Sequence, residues 1–170
     1  MSALLVVAVT AQWCDEAGWT PVFRDNFDGT SLNLSSWTIS HGAGGSYGRE
    51  AWLDPANVIV SGGTLTLVTK RDAVHNYTTG AVTTAGKAYW GGASRPRTRV
   101  CVRAILPSPT HGQGIWPAHW LMPEDNSCDP DHGEIDILEM IDGDGIAYAT
   151  YHWSPVYPRE NCSYLDGKAS

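Results

Sequence analysis

Sustained helical periodicity is missing from this chain: no window of a dozen residues keeps a 3.6-residue apolar repeat without Gly or Pro breaking it. Basic charge is scarce as well. Eleven Lys and Arg stand against 18 Asp and Glu, a net charge of −7. That balance argues against nucleic acid and against an anionic membrane surface, both of which need basic patches. No hydrophobic run is long enough to span a bilayer; residues 4–9 are apolar but far too few. The four Cys show no CxxC spacing, so a zinc site is not expected. Repeats, charge blocks and low-complexity linkers are absent too. The 170 residues are therefore read as one domain without an internal boundary, expected to be a monomer.

What the chain does contain is Trp, Tyr and short strands. Eight Trp and seven Tyr accompany only two Phe. Such rings combine a flat apolar face with a polar handle, which suits stacking on sugars; filling a β core is the competing use. β-rich runs occur at 57–60 and 64–69, with Ser61-Gly62-Gly63 between them as a hairpin turn. Further strands are expected at 99–106, at 115–122 interrupted by Pro117, at 134–141 and at 146–153. Residues 40–48 and 79–92 are Gly-rich and loop-like. Short strands and Gly-rich turns without helices point to an all-β sandwich.

The compartment is read from the start of the chain and from Cys and Asn. The apolar run at 4–9 followed by Val9-Thr10-Ala11 resembles a short signal peptide over residues 1–11, without the usual preceding positive charge. Cys14, Cys101, Cys128 and Cys162 form an even set that allows three pairings. Cys128–Cys162 is expected because both lie in loops flanking the two strands nearest the candidate site; Cys14–Cys101 is then left over. Acceptor sequons stand at Asn33, Asn76 and Asn161. Together these features lead us to expect a secreted, disulfide-bonded glycoprotein.

The most informative segment is Gly133-Glu134-Ile135-Asp136-Ile137-Leu138-Glu139-Met140. Side chains alternate along a strand, so Glu134 and Asp136 share one face and the two isoleucines the other. Strict alternation would send Glu139 inward, and an unpaired buried carboxylate is very costly. A β-bulge after Ile137 resolves the conflict by inserting one extra residue. The two glutamates would then lie roughly 13 Å apart at Cα. Side chains leaning together close this to about 5–6 Å, near the spacing of a retaining glycosidase pair. Asp136 between them would hydrogen-bond one glutamate and raise the proton affinity of a neighbour. Two plainer readings stand beside this: a solvated acidic face, or Asp129, Asp131 and Glu134 as oxygen ligands for calcium.

The motif, in the form Glu-x-Asp-x-x-Glu, resembles the active-site strand of glycoside hydrolase family 16. Gly114-Ile115-Trp116-Pro117-Ala118-His119-Trp120 resembles the preceding strand of that family's laminarinases. Residues 23–37 and 57–70 resemble its N-terminal strand and next hairpin, and Tyr151-His152-Trp153 stands where the family often has an aromatic-flanked His. All blocks come in the family's order and cover nearly the whole chain after the signal. The resemblance implies a jelly-roll β-sandwich, with residues 12–170 forming the N-terminal and central part of a catalytic domain. It implies Glu134 as nucleophile, Asp136 as assistant and Glu139 as acid/base. It also implies substrate contacts at Trp116, Trp120, Asn57 and His152, with His119 and His132 incidental. The implied activity is retaining endo-hydrolysis of β-1,3- or mixed β-1,3/1,4-glucan, with the polysaccharide as the partner. No cofactor is expected, a structural calcium being the one ion left open.

Two departures from the family pattern matter. Tyr-Gly-Arg-Phe-Glu is replaced by Arg97-Thr98-Arg99-Val100-Cys101, ahead of Val102-Arg103-Ala104-Ile105-Leu106-Pro107. The family's sandwich also continues well past the catalytic strand, so the fold is expected to be incomplete at the C-terminus. The rival function is glucan recognition without catalysis on the same fold. The three acids being present favours the enzyme. A calcium-dependent adhesion or lectin module would rest only on Asp129, Asp131, Asp142 and Asp144.

Overall fold

The computed structural model describes residues 14–44, 51–91, 97–107, 114–124, 132–154 and, for the backbone, 167–169. The all-β expectation holds: strands dominate, and the one helical element among the described residues is a 3-10 turn at Pro55–Asn57. The chain divides into two compact units, Glu16–Thr98 and a second formed by Arg99–Ser170 with the stretch up to Asp15. The sequence shows no composition shift at that division.

Among the described residues the first unit holds eight short strands: β1 (Thr38–Ile39), β2 (Gly42–Ala43), β3 (Ala51–Leu53), β4 (Val58–Ser61), β5 (Thr64–Leu67), β6 (Lys70–Asp72), β7 (Asn76–Thr79) and β8 (Val82–Thr83). The β4–β5 hairpin closes where expected. Gly62 and Gly63 both take positive φ, at 58° and 72°, the conformation a two-residue hairpin loop demands. Asp72 closes the β6–β7 turn by accepting the amides of Val74 and His75. β7 also pairs with β3, in parallel. The loop-like stretches around residues 42 and 82 turn out to carry β2 and β8, strands too short to leave an alternation signal. Phe23 packs edge-on against Trp37 and Trp90, and the Trp37 indole donates to Asp25 at 2.8 Å.

The second unit is one antiparallel sheet in the order β12-β11-β10-β9: β9 (Ala118–Leu121), β10 (Glu134–Glu139), β11 (Tyr148–Trp153) and β12 (Gly167–Ala169). β9 begins directly after Pro117, whose missing N–H cannot join a ladder. The turn into β11 uses left-handed backbone at Asp142, Gly143 and Gly145. Cys14 and Cys101 form a disulfide, the pairing left over in the sequence reading. Cys128 and Cys162 lie outside the described residues. The strand expected at 99–106 is not formed. Its alternation suits a strand, but no partner pairs with it among the described residues, and Ile105 and Val102 stand exposed. The buried apolar residues described are Leu32 and Val60 in the first unit and Met140 in the second.

Candidate active site

The acids of β10 lie on one face of the second unit's sheet because the strand is bulged. Against β9, Asp136 pairs with Trp120 and Leu138 with His119, so two steps on β10 oppose one on β9. Against β11, Asp136 pairs with Thr150 and Glu139 with Tyr148. The extra residue falls after Asp136, as the cost of burying Glu139 requires. Directly opposed residues of an antiparallel pair share a face. Glu134 with His152, Asp136 with Trp120 and Thr150, and Glu139 with Ala118 and Tyr148 therefore form one surface. Ile135, Tyr151 and Leu121 lie on the other.

Asp136 sits at the centre and is 4% exposed. Burial holds its proton affinity above the ordinary carboxylate range, and the nearby Glu139 charge adds to the effect; His152 and a hydrogen bond with Glu134 oppose it. His152 Nε2 approaches Asp136 Oδ2 to 3.0 Å. The approach is close, yet Oδ2 is left without a well-formed hydrogen bond. Glu139 is held from the other side: the Trp116 indole N–H donates to its Oε1 at 2.8 Å. Donor atoms of Asp136, Glu139 and His152 all lie within 4.8 Å of one another.

The structure thus gathers Glu134, Asp136, Glu139, Trp116 and His152, with Trp120 half exposed on the same face. Trp116 bonds an acid with its N–H, a role distinct from the stacking its ring suggested. Asn57 requires a correction. It belongs to the first unit, is 1% exposed and donates to Thr78 Oγ1 at 2.9 Å, so its side chain presents no surface to a sugar. The family resemblance implied a sugar contact at this hairpin start. Instead, the 3-10 turn at Pro55–Asn57 swings the amide inward, where the Asn57 carbonyl also accepts Val68 N–H. His119 lies on the sheet's other face, its Nε2 buried without a partner, and burial lowers its proton affinity. Asp142 and Asp144 bond the amides of Gly114 and Ile146, and Asp144 also accepts the Tyr148 hydroxyl. Asp129 and Asp131 lie outside the described residues.

Three residues on or beside the site escaped the sequence reading. Tyr148 and Thr150 flank Glu139 and Asp136 on the active face, and period-2 alternation from His152 would have found both. Gly133, with φ 83°, starts β10 under Tyr151. A Cβ there would come within 3.0 Å of the tyrosine hydroxyl, so glycine is required.

Residues 96–165 match the model of the XgeA-like catalytic domain of family 16. Over these residues the chain is similar to glycoside hydrolase family 16. A β-glucanase of Rhodothermus marinus is 31% identical over 148 residues, 79% of this chain and 48% of the relative. A glucan endo-1,3-β-glucosidase A1 of Niallia circulans is 28% identical, over 84% of this chain and 23% of the relative. The solved structures this chain is similar to include the catalytic domain of an endo-1,3-β-glucanase (laminarinase) from Thermotoga petrophila. It is 27% identical with a TM-score of 0.61, covering 80% of this chain and 57% of that one. The all-β jelly-roll type of fold is common to these neighbours and this chain. The chain spans about half the length of the β-glucanase it matches, and less of the second relative.

Proposed function

We propose that this chain carries the catalytic face of a retaining endo-hydrolase of β-1,3- or mixed β-1,3/1,4-glucan. One observation carries the reading: the bulge in β10 returns Glu139 to the face of Glu134 and Asp136. The names of the relatives, β-glucanase and glucan endo-1,3-β-glucosidase, support the substrate class. In the reaction, a Glu134 oxygen attacks the anomeric carbon as Glu139 gives its proton to the departing glycosidic oxygen. Glu139 then takes a proton from water, which attacks the same carbon and frees Glu134 with net retention. Asp136 bonds Glu134 beside the reacting carbon. Trp116 fixes the orientation of Glu139. Trp120 offers its open ring to a sugar. The apolar start, the sequons and the Cys14–Cys101 disulfide support action outside the cell.

Opposite anomers test the division of roles. With Glu134→Ala, azide attacks an activated β-glycoside directly and yields the α-azide. With Glu139→Ala, an activated aryl glycoside still forms the covalent intermediate, and azide releases the β-azide. Swapped products would reverse the assignments. Binding of laminarin by the wild type with no turnover would favour a glucan-recognition protein instead.

A further inference from the structure

The cluster of Asp136, Glu139 and His152 has a donor chemistry that hydrolysis does not use. An imidazole nitrogen and two carboxylate oxygens, one from each acid, lie within 4.8 Å of one another. Ligands of a four-coordinate zinc sit about 2.0–2.2 Å from the ion and therefore about 3.4 Å apart. The Asp136–His152 approach of 3.0 Å is already near that spacing. Trp116 holds one oxygen of Glu139, which leaves the second as a donor. Independently of the clustering, Asp136 Oδ2 is buried, in a side chain only 4% exposed, and lacks a well-formed hydrogen bond. A buried acceptor in that condition is costly unless something completes its coordination.

We propose that Asp136, Glu139 and His152 form a binding site for a borderline divalent transition metal, zinc or copper(II), whose occupation stops hydrolysis at the catalytic face. Imidazole with carboxylate suits these ions. Calcium requires six to eight oxygen ligands, more than three side chains with one imidazole can give. Water fills the fourth position. The ion engages the carboxylate assigned as acid/base, which can no longer carry a proton to the glycosidic oxygen. The metal site stands on the geometry alone; the loss of hydrolysis rests on the catalytic reading above.

Equilibrium dialysis against zinc, with metal analysis of the protein, tests the site directly. One zinc per wild-type chain is expected, with affinity at least tenfold lower in His152→Ala and in Glu139→Gln, the isosteric variant that keeps the fold if the histidine change does not. Cobalt(II) should give visible bands of a four-coordinate ion in the wild type and lose them in both variants. His119→Phe and His132→Ala should bind as the wild type does, and calcium in large excess should not displace zinc. Zinc retained undiminished by His152→Ala and Glu139→Gln, or not retained by the wild type, would overturn the proposal. Laminarin hydrolysis with and without zinc separates the two readings. Zinc bound with hydrolysis unimpeded would leave the metal site standing and remove Glu139 from the catalytic role. Hydrolysis without zinc binding would do the reverse.

Discussion

The two units solve different problems with the same kind of element. The sheet of β9 to β12 is a platform: three antiparallel strands, the middle one bulged, present acids, an imidazole and an indole on one face. The unit from Glu16 to Thr98 is a set of small ladders held by turns, a 3-10 cap and an aromatic cluster, and it buries a neutral amide rather than a charge. Charge is concentrated where a bulge re-aims a strand. Where turns alone do the positioning, the buried polar groups are uncharged. Chemistry and scaffolding are thus separated along the chain.

Overrunning the bulge should break this contrast most completely. Insertion of one residue after Ile137 adds a step that the bulge does not absorb and turns Glu139 to the far face. Laminarin hydrolysis should fall by about 10³-fold or more, because proton transfer loses its positioned acid. Activity near wild type would show that alternation in β10 does not matter.

The scaffold should fail by a different route. A Cβ at Gly80 would lie 2.5 Å from the Asn57 carbonyl oxygen, which is backbone and cannot swing away. Gly80→Ala should therefore cost about 2–3 kcal/mol of stability. Urea denaturation would read this as a lower midpoint, with azide-rescue stereochemistry unchanged in whatever folded fraction remains.

Both of those sites were unequally visible in the sequence. The bulge was legible because a carboxylate in a core is so unfavourable that Glu139 had to be redirected. The β4–β5 hairpin was legible because two adjacent glycines meet the φ requirement of its turn. The burial of Asn57 was not. It depends on Thr78, twenty-one residues on, and on a cap set by Asp54. The absent strand at 99–106 shows the same limit: alternation reports what a segment can do, while a ladder needs a partner. β2 and β8 are two residues each, below the length at which any period can be read.

A smaller effect is expected at Trp116. Phenylalanine there keeps most of the ring area and removes only the N–H that orients Glu139. Hydrogen bonds to charged groups contribute about 1.5–3 kcal/mol, so kcat should drop about tenfold or somewhat more for poor leaving groups. KM for laminarin should change little. An equal loss for activated aryl glycosides would mean that the indole serves the sugar rather than the acid.

The mildest prediction concerns acid stability and His119. Burial lowers its proton affinity below the ordinary value of 6.5, so the folded chain binds this proton less readily than the unfolded chain. Its contribution is therefore full above pH 6.5 and is lost as pH falls through the depressed folded value. His119→Phe should flatten that decline. Urea midpoints measured at pH about 7.5 and about 5 should differ less in the variant than in the wild type. An identical difference would place the acid sensitivity elsewhere.

The parallel pairing of β3 with β7 has a consequence for how the chain reaches its fold. Antiparallel neighbours joined by a tight turn can zip from that turn within about 1–10 μs. β4–β5 and β6–β7 are of this kind. β3 cannot join β7 that way, because the whole β4–β5 hairpin lies in the connection between them. Its closure must bear the entropy of that longer loop, and it is reduced only once the hairpin inside has condensed. During refolding, the amides of β4 and β5 should gain exchange protection before those bridging β3 to β7. Until β3 arrives, one edge of β7 stays unpaired, and that interval is when another chain can dock there in its place.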